Sequence, residues 1–431
     1  MNKLTIGLIG FGNVGSGVVS LLEKRKEYLQ GKFHTDFVLK SICDKYIDKR
    51  KKDAPAKVFL TKNIDEVLQD KNIDVIIELI GGIHPAKEIA IGALKNKKHL
   101  ITANKALLSE FGKELFHLTA KYNRNIYFES SVGAGTPMIR TITEGLAGNR
   151  FNGLYGIING TCNFILTGMT KKNYSFKQAL LEAQQKGFAE RNPTLDINGI
   201  DSAHKLAILI YLALGKSIKV KDIYTEGITH ISHADIEHAE SLNLTIKLLG
   251  IAKKVKNQLE ARVHPTLIAK DHPLASINHI YNAVFLDADP LGEVLLSGEG
   301  AGKMAAASGV LSDLINLASR RNCDPSSMLG NIVHENRELK LRKIDHIWTR
   351  FYIRFMATDK PGVLSKISGI LGKHGVSIES VTQKVHSAST VPVIMLTDYA
   401  PEKMVRVALE KIFKLSIVKS KPVAIRMENL K

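Results

Sequence analysis

Three glycines spaced Gly10-Phe11-Gly12-Asn13-Val14-Gly15 stand directly behind a short β-branched run, residues 4–9, and directly ahead of an amphipathic stretch, residues 14–25. No other feature constrains the chain as tightly. The first glycine permits a tight turn, the second lets a pyrophosphate reach the backbone, and the third lets a helix lie close on its strand. A helix N-terminus at that point favours phosphate charge. Without its context the motif is weak, but here the order is strand, turn, helix. Gly10, Phe11, Gly12, Asn13, Val14 and Gly15 are therefore expected to hold a dinucleotide.

The next hundred residues continue the same rhythm. Apolar runs at 37–43, 75–80 and 99–101 alternate with helical patterns, which predicts a parallel sheet with crossover helices, a Rossmann-type domain over 1–130. Its second strand ends in Cys43-Asp44-Lys45, followed by Lys49, Arg50, Lys51 and Lys52. A carboxylate there favours the ribose hydroxyls of NAD, and a cation such as Lys45 favours the extra phosphate of NADP. Both are present, so either cofactor is open, with the cations leaning towards NADP. Thr102-Ala103-Asn104-Lys105 follows a strand at the edge where open α/β sheets bind ligands. Thr102 and Lys105 are expected at the cofactor, and Lys105 also at substrate oxygens.

Beyond the glycine-rich stretch 130–137, read as a hinge, the pattern changes. Residues 131–301 mix strands (153–158, 259–267) with long helices (175–186, 201–215), an α+β domain. A small-residue helix at 302–320 is expected to return to the first domain, within a segment 302–340. Residues 321–349 read as a polar linker without strands. A β-α-β-β-α-β order over 350–431 predicts a ferredoxin-like unit.

Charge and composition exclude several partners. The net charge of +18 is spread as +7, +3 and +8 over residues 1–130, 131–349 and 350–431. It forms no dense stripe and comes with no reader motif, so no nucleic acid is expected. The longest nearly apolar stretch, 206–214, falls far short of the ~20 residues that span a bilayer, so no membrane is expected. Cys43, Cys162 and Cys323 lack metal-ligand spacing. With no leader-like N-terminal pattern, they read as thiols in the cytoplasm.

The densest chemistry lies at 187–205. Asp201 and Lys205 are four residues apart at a helix start and share one face. A lysine beside a carboxylate in a pocket of reduced polarity suits proton donation to a carbonyl. Glu190 and Asp196 add negative charge for a substrate ammonium. Taken alone, the same pair is also an ordinary helix salt bridge.

Residues 183–205 resemble the signature of homoserine dehydrogenases. Residues 78–82, 102–105 and 131–137, and Asn159-Gly160-Thr161, resemble that family in the same order, and Asp359-Lys360-Pro361-Gly362-Val363-Leu364 resembles the first turn of ACT domains. The resemblance implies reversible NAD(P)H-dependent reduction of L-aspartate 4-semialdehyde to L-homoserine, on the route to threonine and methionine, by the monofunctional form. It makes Lys205 the proton donor and gives Lys105 a share in cofactor and substrate binding and in the proton relay. Glu190 and Asp201 then hold the substrate amine, and Gly187 and Gly302 line the nicotinamide site. It also implies a monovalent cation, commonly sodium, at Glu129, Val132, Ala134 and Thr136. The resemblance assigns substrate binding and dimerisation to the α+β domain 131–301. A homodimer or homotetramer is implied, with the ACT unit as a separately folded regulatory module taking threonine. Many relatives carry an Arg after the second strand where this chain has Cys43. The alternative is a catalytically silent amino-acid sensor working through its ACT domain.

Overall fold

The computed structural model describes every residue except Met1, 321–335, Arg337, 384–389 and Lys431; Cys323 lies outside the described residues. The chain divides into two compact units, Met1–Asn152 with Ala203–Ile223 and Ile280–Arg337, and Gly153–Ser202 with Tyr224–His279 and Glu338–Lys431.

The first unit is built on a six-stranded parallel sheet. Its strand order is Phe59–Thr61, Thr35–Cys43, Asn2–Ile9, Val75–Glu78, His99–Thr102 and Ile126–Tyr127, the doubly wound order whose reversal point opens a ligand crevice. Both faces of the central strand are covered, as its run of Leu4, Ile6, Leu8 and Ile9 requires. The helix Asn13–Lys24 lies over it with Val18 and Leu22. The helix Lys303–Ser319 adds Ala307, Val310, Leu311, Leu314 and Leu317 to the same core. These two helices pass close: a Cβ at Gly17 would meet the Lys303 carbonyl oxygen at 3.0 Å.

The stretch read as a hinge is instead core. Ser130–Gly133 is a short buried helix, and Ser130 Oγ donates to the Ala306 carbonyl at 2.7 Å. A Cβ at Gly309 would fall 2.3 Å from that hydroxyl, so small residues here serve close packing.

In the second unit, Leu244–Val255 pairs antiparallel with Arg150–Ile157 and Gln258–Ala269. The sheet then continues into the C-terminal region. Val423–Met427 pairs parallel with Gln258–Ala269 and antiparallel with Trp348–Thr358, followed by Thr390–Thr397 and Ile378–Gln383. The C-terminal fold keeps its own core, Phe351, Ile353, Phe355, Ile367, Val393 and Ile412 among others, and shares one strand with this sheet. The expected strandless linker also contributes, through Lys340–Leu341 on Gln258–Leu259.

Buried ion pairs reinforce the seam. Arg426, 4% exposed, donates to both Glu402 oxygens at 2.8 and 2.6 Å, to Glu226 at 2.7 Å and accompanies Tyr224 Oη at 2.9 Å. Arg262 lies fully buried between Glu260 and Glu428, and Arg354 grips Asp235 at 2.6 and 3.0 Å. The helix Val363–Lys373 buries Val363, Ile367 and Leu371, whereas Leu364 is exposed. Among the described residues no helix is long and apolar enough to cross a membrane.

Candidate active site

The glycine loop meets the demands of a dinucleotide. Gly10 has φ +104, a conformation natural to glycine. A Cβ at Gly15 would lie 2.1 Å from the Gly10 carbonyl oxygen, while one at Gly12 would meet nothing within 4 Å. The middle glycine therefore faces open space. The helix that follows has no side-chain cap and no acid in its first turn, leaving its first N–H groups for an incoming anion. A cleft of about 650 Å³ opens here, lined by Gly10, Gly12, Asp44, Lys45, Arg50 and Ile80 among others, a volume suited to a cofactor.

Several of the residues expected at the cofactor work differently. Phe11 and Val14 put their side chains into or against the core, so only their backbone reaches the loop. Asp44 clamps it: Oδ2 accepts from Phe11 N and Oδ1 from Tyr46 N, both at 2.7 Å. Arg50 Nη1 donates to the Phe11 carbonyl at 2.5 Å. Cys43 is buried, its thiol pushed up to about 11 by burial and then by Asp44 and Glu66. Arg50 is the guanidinium that lines the cleft near Cys43. Thr102 is fully buried; it donates to Glu78 Oε2 at 2.6 Å and accepts from Asn104 N at 3.0 Å. It braces the strand end, its hydroxyl proton going to Glu78. Burial raises the Glu78 carboxyl, partly offset by hydrogen bonds from Thr102, Ile80, Gly81 and Asn104. Lys45 is exposed, over the Tyr46 ring.

Two helices carry the lysines. Asn104 caps Lys105–Tyr122, accepting from Leu107 N at 3.1 Å; Lys205 sits on Ile200–Leu214. Ser109 Oγ lies 2.6 Å from His204 Nδ1, and the rings of Phe116 and Tyr211 stack at 5.5 Å. Both contacts join residues 95 apart, so the helices run parallel and bring Lys105 and Lys205 towards the same end. Lys205 is 7% exposed and Lys105 half-buried.

Within the second unit, Asn159 gathers the carboxylates. Its Nδ2 donates to Asp196 Oδ1 at 2.7 Å and to Asp201 Oδ2 at 3.0 Å. Thr161 Oγ1 donates to the Phe188 carbonyl at 2.7 Å, so the start of helix Gly160–Lys172 grips the loop 187–201 at both ends. Glu190 stands outside this cluster, exposed, with its carbonyl taking Gln184 Nε2 at 3.1 Å. Gly187 turns at φ +73, and Gly302, at φ +126, opens the helix Lys303–Ser319. The Asn159 bridge was missed from sequence, although Asn ahead of Gly-Thr is a helix N-cap signal.

The Glu129 carboxylate is engaged by donors of the protein itself. Its Oε1 accepts from Ile139 N at 2.7 Å, and its Oε2 from Arg140 N at 3.0 Å and Arg140 Nε at 3.3 Å, so one of its two oxygens meets the guanidinium. The Thr136 carbonyl accepts from Met138 N at 2.7 Å; Val132 and Ala134 are buried. Among the described residues no group of three or more His, Cys, Asp or Glu could hold a metal ion.

Comparison with known proteins covers most of the chain. Residues 137–315 match the family model described as homoserine dehydrogenase, 10–129 that of the homoserine dehydrogenase NAD binding domain, and 351–416 that of the ACT domain. The homoserine dehydrogenase of Neisseria gonorrhoeae is 38% identical, with 100% of both chains covered. The crystal structure of a homoserine dehydrogenase from Thiobacillus denitrificans superposes with a TM-score of 0.93 at 37% identity, covering 100% of this chain and 99% of that one. A hyperthermophilic archaeal homoserine dehydrogenase in complex with NADPH is similar at a TM-score of 0.64 and 26% identity, covering 75% and 99%.

Proposed function

The chain belongs to the homoserine dehydrogenase family, and from that premise we propose which of its residues perform the reaction. The activity is that of an NAD(P)-dependent oxidoreductase interconverting L-aspartate 4-semialdehyde and L-homoserine. A catalytically silent sensor finds no support. The cofactor, when bound, supplies or accepts the hydride.

In the reducing direction negative charge grows on the aldehyde oxygen, and the Lys205 ammonium stabilises and then protonates it. In the other direction the neutral amine takes the hydroxyl proton. Lys105, near the same end of the parallel helix pair, holds the oxygen and shares the proton relay. Asp201, one turn before Lys205, orients it and receives the substrate ammonium, with Glu190 as the second carboxylate of that loop. Gly187 and Gly302 border the nicotinamide. The single observation that carries this reading is the parallel packing of the helices bearing Lys105 and Lys205.

Both NAD and NADP are accepted in this reading, and the cleft favours NADP: Lys45 and Arg50 line it, while Asp44 is engaged by two backbone N–H groups. No cation is assigned to the Glu129 carboxylate, which Arg140 occupies. The same reading includes a domain partition of 1–130 with 302–340, 131–301 and 350–431. It also includes a homodimer or homotetramer, a cytoplasmic location, a role in threonine and methionine synthesis, and threonine as the ACT effector.

Lys205→Ala tests the proton assignment. Its homoserine-dependent formation of reduced nicotinamide should fall about 10²–10⁴-fold, the usual worth of a positioned proton donor, with the cofactor dissociation constant unchanged. A near-normal kcat removes Lys205 from the chemistry.

A further inference from the structure

We propose that Asn159 is a positioning residue for the carboxylates that face the substrate amine: its one amide group divides its two N–H donors between Asp196 and Asp201 and fixes the direction in which Asp201 meets that amine. The inference rests on the reading of Asp201 given above.

Asn159 is 4% exposed and Asp201 6%. The amide makes three bonds. Its oxygen accepts from Cys162 N at 2.8 Å, closing the first turn of helix Gly160–Lys172. Its nitrogen donates to Asp196 Oδ1 at 2.7 Å and Asp201 Oδ2 at 3.0 Å. An amide nitrogen has two hydrogens, so its donor capacity is fully used. The capping bond fixes the plane of the amide, and the plane fixes where both donors point. Asp201 therefore takes its orientation from a helix start rather than from its own flexible torsions.

The arrangement suits recognition of a cation. Two carboxylates drawn to one point repel each other, and a basic residue between them would cancel the charge that an ammonium ligand needs. A neutral amide holds both without adding a charge of its own. The other end of the bridge is equally constrained. The Asp196 carbonyl accepts from Cys162 Sγ at 3.1 Å. The next carbonyl, of Ile197, accepts from Ile228 N at 2.9 Å, and a Cβ at Gly227 would fall 2.1 Å from it. Asp196 cannot drift without moving this contact, so it acts as the anchor against which Asn159 is set.

Two substitutions separate positioning from capping. Asn159→Asp keeps size and cap acceptor but replaces the donors by oxygen and adds like charge. Asn159→Ser keeps a good N-cap side chain and removes the bridge. Each is compared with the full-length wild type and with Asp201→Asn for melting temperature, KM for homoserine, KM for cofactor and kcat. The expected result is a KM for homoserine raised about 10-fold or more in Asn159→Asp and less in Asn159→Ser, since a hydrogen bond to a charged group is lost. Cofactor KM should stay near wild type in both, and melting temperature in Asn159→Ser; Asn159→Asp, which buries a third carboxylate beside two others, should melt lower. Unchanged homoserine KM in both variants overturns the proposal. So does a parallel loss of homoserine affinity, cofactor affinity and melting temperature, which marks a merely structural residue. If Asp201→Asn itself leaves the homoserine KM unchanged, the underlying assignment of Asp201 fails, a result distinct from failure at Asn159 alone.

Discussion

The glycine loop of the first unit and the seam of the second place polar groups under strands in opposite ways. At the loop, the helix Asn13–Lys24 starts without a side-chain cap or an acid in its first turn, and Gly12 has empty space beside it. At the seam, Arg426 has Glu402, Glu226 and Tyr224 around it, and Asp235 is held by Arg354 and Ser232. Donors left open at a surface recruit a ligand, whereas charges buried with their partners join elements. The first arrangement is a site and the second a fastening, and they should fail differently when mutated.

The largest expected effect falls on the seam. Arg426→Ala leaves Glu402, 7% exposed, without its guanidinium, and stranding one member of a buried pair costs about 3–5 kcal/mol. Thermal or denaturant unfolding should show a large loss of stability. Arg406→Ala, which removes a half-exposed partner of Asp345, should cost at most ~1 kcal/mol. Equal losses in the two variants would erase the distinction between fastening and surface pair. The same logic applies to a truncation: a chain ending near Arg342 loses the strand Val423–Met427 from Gln258–Ala269 and the Glu428 partner of Arg262, and should be recovered unfolded or aggregated.

Next in size is a contrast inside the loop itself. Gly15→Ala would set its methyl 2.1 Å from the Gly10 carbonyl oxygen, forcing helix and strand apart, so melting temperature and cofactor affinity should fall together. Gly12→Ala meets no protein atom within 4 Å, yet it occupies the approach of the pyrophosphate. Its melting temperature should be unchanged while the cofactor dissociation constant, read by titration of reduced nicotinamide fluorescence, rises about 10-fold. A Gly12→Ala chain that binds cofactor normally would mean the pyrophosphate lies elsewhere.

The two regions also differ in how far the sequence exposes them. The loop was legible because its requirements are local: strand, three glycines and helix within twenty-four residues of the N-terminus. The lysine-bearing helices were legible as helices, but their mutual packing through Ser109 and His204 was not, since a contact across 95 positions leaves no spacing signal. The seam was misread for the same reason. Glu226 and Arg426 are 200 residues apart, and a β-α-β-β-α-β order looks the same whether its last strand pairs inward only or with a further sheet. Thr102 shows a subtler case. Its position at a strand end suggested ligand contact, but Glu78, on the neighbouring strand, needed a donor in the buried interior, and the hydroxyl went there.

The smallest effect concerns the acid at the mouth of the loop. Asp44 was read as a ribose ligand opposing NADP by its charge; in the structure it accepts from Phe11 N and Tyr46 N, while Arg50 holds the Phe11 carbonyl. The residue thus has two separable properties, a negative charge and a clamp. Asp44→Asn removes the charge and leaves one carbonyl oxygen for the clamp. If the charge governs preference, the ratio of kcat/KM for NADP over NAD should rise about twofold to fivefold, the worth of one charge interaction at a solvent-open position. Arg50→Met should move the ratio the opposite way, since a guanidinium beside the loop attracts a ribose phosphate. A fall in both efficiencies with the ratio unchanged would show that Asp44 serves the loop's shape alone. The cofactor end would then resemble the seam, with its charge spent on holding protein to protein.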